Sequence, residues 1–364
     1  MAKLIIFLLV LTGLISVYFL NFRLPTPGGR HQTPGIETVL QPAVHPSPTP
    51  SITIPSPPPT KIIPLKLHVF QTFNNCGPAA LSMALSYYDI QETQQKMGQA
   101  LRPYQIPGGD NDDKSVTLEE LAQKSKEYEL VPYHRPNGDI QILKQFIASD
   151  MPIITRTWTK LNEDIGHYRI VRGYDDTTRT IIQDDSLQGK NLSYSYNEFN
   201  ELWKKFNFEY LVLVPKDKQA LAEAILGEET DEKISWKKAA RNAEDQLKEN
   251  PDDLYAGFNL SVALYNIEDY QRAVEEFEKV ESKLPFRTLW YQIEPILAYQ
   301  KLKNYTRVFE ISDRVLNYHN RAFSELYLIR GEIYLEQGQK EKAKEEFRKA
   351  VFYNSNFPSK IPQI

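Results

Sequence analysis

The chain has 364 residues, a net charge of −4 and 41% hydrophobic residues. This length allows two or three domains, and the weakly acidic balance excludes the broad basic field that nucleic-acid binding requires. A single cysteine, Cys76, excludes an internal disulfide framework.

The N-terminus carries an uncharged apolar run from Leu4 to Phe22. As a helix rising about 1.5 Å per residue it would span ~28 Å, close to the ~30 Å hydrocarbon core of a bilayer. No small-residue cleavage site follows the run, and no cysteine suitable for lipidation lies near it. Residues 1–22 are therefore predicted to be an uncleaved transmembrane signal anchor, although Lys3 and Arg23 leave the charge bias across it weak.

Residues 23–64 hold 12 of the 24 prolines, mixed with Ser, Thr and Gly. Such a composition cannot bury a core, and it predicts an extended or disordered stalk. Anchor and stalk together indicate a single-pass protein of the cell membrane, whose bulk is held away from the bilayer on the extracytoplasmic side. A single unpaired cysteine is compatible with that location.

Residues 65–216 show mixed helix and strand patterns. An apolar helix is predicted from Ala79 to Tyr88, with Gly77 and Pro78 in its first turn. Further helices are predicted at 118–128, after a capping-box signature at Thr117 and Glu120, and at 140–149; strands are predicted at 152–158, 167–174, 180–184 and 210–214. Helices followed by antiparallel strands indicate an α+β domain.

Cys76 lies where a loop turns into the first of these helices. The positive end of the helix dipole favours thiolate over thiol, and can lower a cysteine pKa from ~8.5 into the range ~3.5–7.5. A lone cysteine is most often a small buried hydrophobe. The glutamine and two asparagines before Cys76 do not resemble a core strand, so Cys76 is predicted to be a nucleophile.

A thiol nucleophile needs a nearby base, and the base needs a third group that fixes its tautomer. His167 begins a strand after Gly166, and a turn near residues 176–177 would bring 184–186 within a few residues of it. Either Asp184 or Asp185 could orient the imidazole, and Asp184 is preferred.

Gln71 stands five residues before Cys76 and could donate a side-chain N–H to a developing oxyanion, beside the Cys76 backbone N–H. Each residue of the set also has a purely structural explanation: His167 could pack within its strand, Asp184 could belong to a turn, and Gln71 could be a solvated loop residue. The ordered set is more specific than any one member.

Four motifs in order resemble the papain-like peptidases of cysteine peptidase family thirty-nine. They are Asn-Asn-Cys-Gly-Pro-Ala-Ala-Leu, Gly-His-Tyr-Arg-Ile-Val-Arg-Gly-Tyr-Asp-Asp, Ile-Ile-Gln-Asp and Tyr-Asn-Glu-Phe-Asn-Glu-Leu-Trp, within residues 65–215. The resemblance implies a papain-like fold and a cysteine peptidase that uses no cofactor. It implies Cys76 as nucleophile, His167 as base, Asp184 as orienting acid and Gln71 in the oxyanion hole.

The best-known relatives trim double-glycine leader peptides from bacteriocin precursors. Nothing in this chain resembles the transporter that usually carries that activity, so the substrate is not transferred. Many relatives have Asp-Pro where this chain has Asp184-Asp185. Two other functions stay open: an amidase or transglutaminase-like acyl transferase, and an inactive peptidase-like module that binds peptides.

The loop Gly108–Asp113 is acidic and glycine-led. Its spacing does not match the twelve-residue calcium loop with its terminal glutamate, so no metal site is predicted and a surface loop beside the cleft is preferred.

Beyond a linker at 217–235, residues 236–364 carry an internal period of 35 residues. The period relates four sets of positions: Tyr270, Tyr305 and Lys340; Ala273, Val308 and Ala343; Phe277, Ser312 and Phe347; Val280, Val315 and Ala350. The pattern resembles tetratricopeptide repeats and predicts an all-α domain of about three units. Trp236–Asn250 is predicted as a leading helix, and Pro295 is placed inside the first helix of a degenerate middle unit.

Such arrays typically bind a peptide or a partner protein on their concave face. Tyr291, Tyr299 and Arg330 are candidates for that face, and a purely structural appendage is the alternative. The expected partners are thus a peptide or protein substrate, a protein bound by the repeats, and the membrane.

Overall fold

The computed structural model describes residues 52–110, 116–318 and 320–362. The predicted anchor and most of the predicted stalk lie outside these ranges. Among the described residues, no helix combines the length and the apolar character that crossing a bilayer requires.

The strands of the described residues form one antiparallel sheet. They are β1 (Thr60–Ile62), β2 (Val131–Arg135), β3 (Ile153–Trp158), β4 (Gly166–Asp175), β5 (Thr180–Asp185), β6 (Gly189–Ser195) and β7 (Tyr210–Val214). Their order is β2-β7-β3-β4-β5-β6, and β1 pairs with β4 outside this path. The central strands are buried on both faces because helices cover each side of the sheet.

The helices of this domain divide between the two faces. They are α1 (Cys76–Tyr87), α2 (Gln94–Leu101), α3 (Leu118–Ser125), α4 (Ile140–Ala148), α5 (Tyr196–Trp203) and α6 (Gln219–Leu226). Helices α1 and α3 pack over a core that includes Ile154, Ile170 and Leu211. Helices α4, α5 and α6 pack over the other face, against Ile153 and Val171. Alternate residues of each strand thus enter different cores.

The start of the sheet corrects the predicted stalk. The stalk was predicted to continue to residue 64, but Thr60–Ile62 pair with β4 and the side chain of Ile63 is fully buried. The proline-rich composition of the region led to a stalk prediction, although the short run from Thr60 to Ile63 consists mostly of residues that favour strands. The segment that precedes the sheet therefore ends at Pro59.

The remaining helices form a helical array. They are α7 (Glu232–Glu249), α8 (Leu254–Asn266), α9 (Tyr270–Val280), α10 (Thr288–Tyr291), α11 (Glu294–Lys301), α12 (Tyr305–Tyr318), α13 (Ser324–Glu336) and α14 (Lys340–Tyr353). Helices that are close in sequence pack against each other around one shared core. Pro295 lies in the first turn of α11 rather than within a longer helix, because proline is tolerated where the N–H needs no partner.

The array packs back onto the α+β domain. Near the start of β4, the guanidinium of Arg156 donates to the backbone oxygen of Tyr291 at 3.0 Å. Towards the C-terminus, Arg102 and Glu325 form an ion pair at 2.8 Å. The segment expected as a linker contains α6, whose Ala222 and Leu226 are buried in the sheet core.

Candidate active site

Cys76 is the first residue of helix α1, and 5% of its surface is exposed. Asn74 adopts the left-handed conformation with φ of 55°, which turns the chain sharply just before the helix. Asn75 is the N-cap residue, and its carbonyl accepts from Ala79 at 2.8 Å. The thiol is therefore held by backbone geometry at the positive end of the helix dipole, as the sequence predicted.

Gly77 must be a glycine because the helix start is tightly packed. A β-carbon at Gly77 would lie 2.3 Å from Cγ2 of Val116 and 3.3 Å from Cδ2 of Tyr168. Tyr168 directly follows His167, and its hydroxyl donates to the carbonyl of Val116 at 2.6 Å. The start of α1, which carries Cys76, thus packs against Tyr168 of β4, the residue that follows His167.

His167 is paired with Asp185. Its Nε2 lies 2.8 Å from Oδ1 of Asp185, and both side chains are almost completely buried. The same oxygen accepts backbone N–H groups of Leu187 at 2.6 Å and of Gln188 at 2.9 Å. A ring whose Nε2 is held by a carboxylate presents Nδ1 to the other side, which is the arrangement a general base requires.

The preference for Asp184 as the partner of His167 was wrong in geometry. The β4–β5 register pairs Arg169 with Asp185 and Ile170 with Asp184. Successive side chains alternate between the faces of a sheet, so a difference of one residue moves the carboxylate to the opposite face. Asp184 instead accepts from Nε of Arg172 at 2.9 Å.

The pKa of Asp185 lies below its ordinary value. Burial by itself would raise this pKa, but the hydrogen bond and charge of His167 and the charge of Arg169 outweigh burial. Asp185 is therefore a carboxylate wherever the fold is intact near neutral pH, and it can stabilise an imidazolium at His167.

Gln71 lies beside the end of β5. Its backbone N–H donates to the carbonyl of Ser186 at 2.8 Å, and its side-chain Oε1 accepts from the Ser186 hydroxyl at 2.9 Å. This hydrogen bond fixes the orientation of the Gln71 side-chain amide, so Nε2 lies on the side of the amide away from Ser186. His68 also holds this loop against the end of β5, because its Nε2 lies 3.0 Å from the carbonyl oxygen of Asp185.

Sequence reasoning missed the residue that holds this loop in place. Gln94 is buried, and its Nε2 donates to the carbonyl of Phe70 at 2.8 Å while its Oε1 accepts from the N–H of Thr72 at 2.9 Å. The two bonds bracket Gln71. The sequence offered only a weak signal, namely Thr93 before a glutamine-rich helix start.

Asn75 was also missed as a structural element of the site. Its side chain donates to Thr72 Oγ1 at 2.7 Å and accepts from Gln105 at 3.0 Å. A β-carbon on Gly98 would lie 2.1 Å from the Asn75 side-chain oxygen, so this contact needs a glycine in α2. The loop before Cys76 is thus pinned from two sides.

A polar hollow of about 350 Å³ opens beside this loop. No charged side chain lines it; the lining residues are Thr72, Phe73, Asn75, Gln95, Gln99, Pro103 and Gln105. Amide and hydroxyl groups of this kind can bind the backbone of an extended peptide. Among the described residues, no cluster of three or more His, Cys, Asp or Glu side chains is placed to hold a metal; part of the acidic loop, residues 111–115, lies outside the described ranges.

Comparisons with known proteins find matches in two segments of the chain. Residues 62–211 match the model of the peptidase C39-like family, and residues 324–356 match a tetratricopeptide repeat. The predicted resemblance is confirmed: an α+β, papain-like domain of the C39 type precedes a tetratricopeptide-like helical region. No curated protein matches the chain.

Several solved structures are similar to a portion of the chain. A protein described as a C39-like peptidase from Bacillus anthracis is 16% identical, with 43% of this chain and 98% of that chain covered and a TM-score of 0.35. The peptidase domain of Streptococcus ComA, described as a bifunctional ABC transporter, is 18% identical, with 41% and 97% covered and a TM-score of 0.32. MamA from Desulfovibrio magneticus RS-1 is 26% identical, with 33% and 67% covered and a TM-score of 0.30.

Proposed function

We propose that the protein is a membrane-anchored cysteine peptidase that uses Cys76, His167 and Asp185. The observation that carries the proposal is the buried His167–Asp185 pair, held at 2.8 Å beside the loop that leads into Cys76. A C39-like family match supports hydrolysis of peptide bonds as the reaction class. The catalytic domain would extend from β1 at Thr60 to the end of α6 at Leu226, and the helical repeats would follow from α7.

The reaction would proceed by acyl transfer. His167 takes the thiol proton, and the sulfur of Cys76 attacks the peptide carbonyl to form a tetrahedral oxyanion. The backbone N–H of Cys76 and Nε2 of Gln71 would stabilise that oxyanion. His167 then returns the proton to the departing amine, which leaves a thioester.

Water completes the cycle. His167 removes a proton from water, the hydroxide attacks the thioester, and the acid product leaves as the sulfur of Cys76 is released. Asp185 would keep the imidazole in the tautomer with Nε2 protonated and would stabilise the imidazolium formed in both halves of the reaction. The cycle needs no cofactor.

The anchor would place this chemistry at a membrane. The apolar run at Leu4–Phe22 supports single-pass attachment, and the proline-rich segment after it supports an extracytoplasmic position for the bulk of the chain. The helical repeats would bind a protein partner with the surface that the α+β domain leaves uncovered.

A second function is favoured by one observation. Only 5% of Cys76 and 2% of His167 are exposed, which is little for groups that must meet a substrate. An inactive peptidase-like scaffold that binds peptides in the polar hollow of about 350 Å³ would need no exposed thiol.

A comparison of peptide termini in the native cell tests the peptidase. Cells with the wild-type chain and cells with Cys76→Ala would be compared by mass spectrometry, with Cys76→Ala rescued by a wild-type copy as the control. Cleaved termini should disappear in Cys76→Ala and return on rescue. Identical sets of termini in all three strains would favour the scaffold.

A further inference from the structure

The carboxylate that faces His167 is also held by a buried arginine. Arg169 is fully buried, and its Nε donates to Oδ2 of Asp185 at 2.8 Å. The β4–β5 register places Arg169 directly opposite Asp185, and His167 two residues along the same face of β4. One face of two strands therefore aligns the charged groups Arg169, Asp185 and His167.

Both Nη atoms of Arg169 also donate hydrogen bonds. Nη1 donates to Thr157 Oγ1 at 2.8 Å and to the carbonyl of Trp158 at 3.0 Å, and Nη2 donates to the carbonyl of Thr159 at 2.5 Å. The guanidinium carbon lies 5.2 Å from the ring centre of Tyr194. These contacts fix the plane of the guanidinium, so Arg169 cannot move away from Asp185 without losing several hydrogen bonds.

The two oxygens of Asp185 serve different partners. Oδ1 faces Nε2 of His167 at 2.8 Å, and Oδ2 faces Arg169 at 2.8 Å. Because each oxygen of the carboxylate has its own partner, rotation of the carboxylate would break the bonds to His167 and to Arg169.

We propose that Arg169 is a positioning residue of this site: it keeps Asp185 ionised and turned towards His167, and so sets the acidic limit of the pH range in which Cys76 is reactive. This inference rests on the proposed thiol chemistry and deepens it. Arg169 would act through Asp185, without contacting the substrate and without belonging to the nucleophile–base pair.

The direction of the effect follows from electrostatics. Burial opposes the charged form of a carboxyl group, and Arg169 is one of the charges that counter burial at Asp185. Without Arg169, the pKa of Asp185 should rise and its carboxylate should be less firmly oriented. Asp185 should then stabilise imidazolium at His167 less well. The other charged or titratable groups that face this pair are His167 itself, His68 at the Asp185 carbonyl and Tyr194 at the guanidinium.

The chain offers a matched control in a neighbouring ion pair. Arg172 and Asp184 are joined at 2.9 Å, and both side chains are buried. Arg172 also donates to the carbonyl of Ile63 at 3.0 Å. This pair resembles Arg169–Asp185 in burial and distance, but Asp184 lies on the other face of β5 from His167.

The test measures the rate of Cys76 alkylation by iodoacetamide between about pH 4 and pH 9, in the full chain, for wild type, Arg169→Met, Arg169→Lys and Arg172→Met. The acidic limb is the part of the pH–rate curve in which the alkylation rate falls as the pH is lowered. Arg169→Met should move this limb upward by about one pH unit or more, which means a tenfold loss of rate at pH values within the limb. Arg169→Lys should restore part of the shift because it keeps the charge. Arg172→Met should leave the limb in place even where it lowers the unfolding temperature.

Two results would overturn the proposal. One is an unchanged acidic limb in folded Arg169→Met, and the other is an equal shift in Arg172→Met, which would mean that any lost ion pair has this effect. A wild-type thiol that reacts no faster than free cysteine at any pH would instead remove the proposed function on which the inference rests.

A measurement on the wild-type chain decides the matter if Arg169→Met does not fold. The side-chain carboxyl carbon of Asp185 is followed by NMR as the pH is lowered. The proposal expects titration below the ordinary value of about 3.9. Titration at or above that value would contradict a carboxylate kept ionised by Arg169.

Discussion

At the scale of single residues, the site depends on how two adjacent aspartates are used. Asp185 is bonded to His167 and Arg169, whereas Asp184 is bonded to Arg172 and to the backbone N–H of Asn191 at 2.8 Å. Both carboxylates are buried and satisfied. Only Asp185 can influence the base, because a strand presents successive side chains to opposite faces.

This division predicts different effects for two matched substitutions. Asp185→Asn should lower the thiolate fraction of Cys76 at neutral pH by about tenfold, if the pair with His167 loses about one pKa unit of stabilisation. The long-range proton–nitrogen NMR spectrum should also show a larger share of the tautomer with Nδ1 of His167 protonated. Asp184→Asn should lower stability without changing the thiolate fraction of Cys76 or the tautomer ratio of His167. Equal changes in both variants would show that the assignment of Asp185 is mistaken.

The residues of the site were predictable in different degrees. The positions of Cys76 and His167 followed from motifs and local geometry, because a helix start and a strand start are local events. The choice between Asp184 and Asp185 depended on a register that shifts at a bulge between Val171 and Gly173. Turn position alone cannot fix such a register to one residue.

At the scale of elements, a largely but not fully buried histidine connects a helix to the sheet edge. His134 in β2 has Nε2 at 3.0 Å from a Glu209 carboxylate oxygen and Nδ1 at 3.4 Å from one of Glu119, which lies on α3. Burial lowers the pKa of His134, but the two glutamates outweigh burial and raise it to about 9. The charged imidazolium therefore stabilises the contact of β2 with α3 and with Glu209, the residue that precedes β7.

This contact predicts a pH-dependent stability. The folded-state pKa of His134 is about 9 against 6.5 without the contacts, so its contribution is complete below about pH 6.5 and is lost as the pH rises through 9. The free energy of unfolding should fall by on the order of 3 kcal/mol over this window. Urea unfolding should show a flatter pH dependence for His134→Gln, while the exposed control Glu127→Gln keeps the wild-type slope. A wild-type slope in His134→Gln would contradict this role.

The elements themselves were predicted unevenly. Helix α3 begins with the expected capping box at Thr117 and Glu120, and the hairpin of β4 and β5 has the expected turn. Strands β2 and β6 were not predicted. Each includes residues that sequence patterns assign to turns or to exposed segments, such as Pro132 in β2 and Asn191 in β6, and each gains its conformation from pairing with a neighbour.

At the scale of the whole molecule, the helical array is packed against the domain that carries the site. A β-carbon on Gly166, which precedes His167, would lie 3.1 Å from ring atoms of Phe206 and of Tyr291. Arg156 lies 4.7 Å from the Phe206 ring centre and 5.7 Å from that of Tyr291. The start of β4 is thus enclosed jointly by both parts of the chain.

The far end of the array reaches the other side of the α+β domain. Tyr353 donates its hydroxyl to Asp110 at 3.1 Å, and the N–H of Ala322 donates to the Asp110 carbonyl at 2.8 Å. The array therefore contacts both the sheet that carries His167 and the segment that follows α2. This arrangement could not be read from a repeat pattern, which reports the packing within the array alone.

The central claim is that His167 activates Cys76, and the pH dependence of thiol alkylation tests it most directly. Full-length wild type and His167→Gln would react with iodoacetamide, with alkylation at Cys76 followed by mass spectrometry and folding checked by circular dichroism. Wild-type Cys76 should react at pH values well below the free-cysteine pKa of ~8.5, and His167→Gln should move the reaction towards that value. A single titration near ~8.5 in both folded proteins would contradict the central claim.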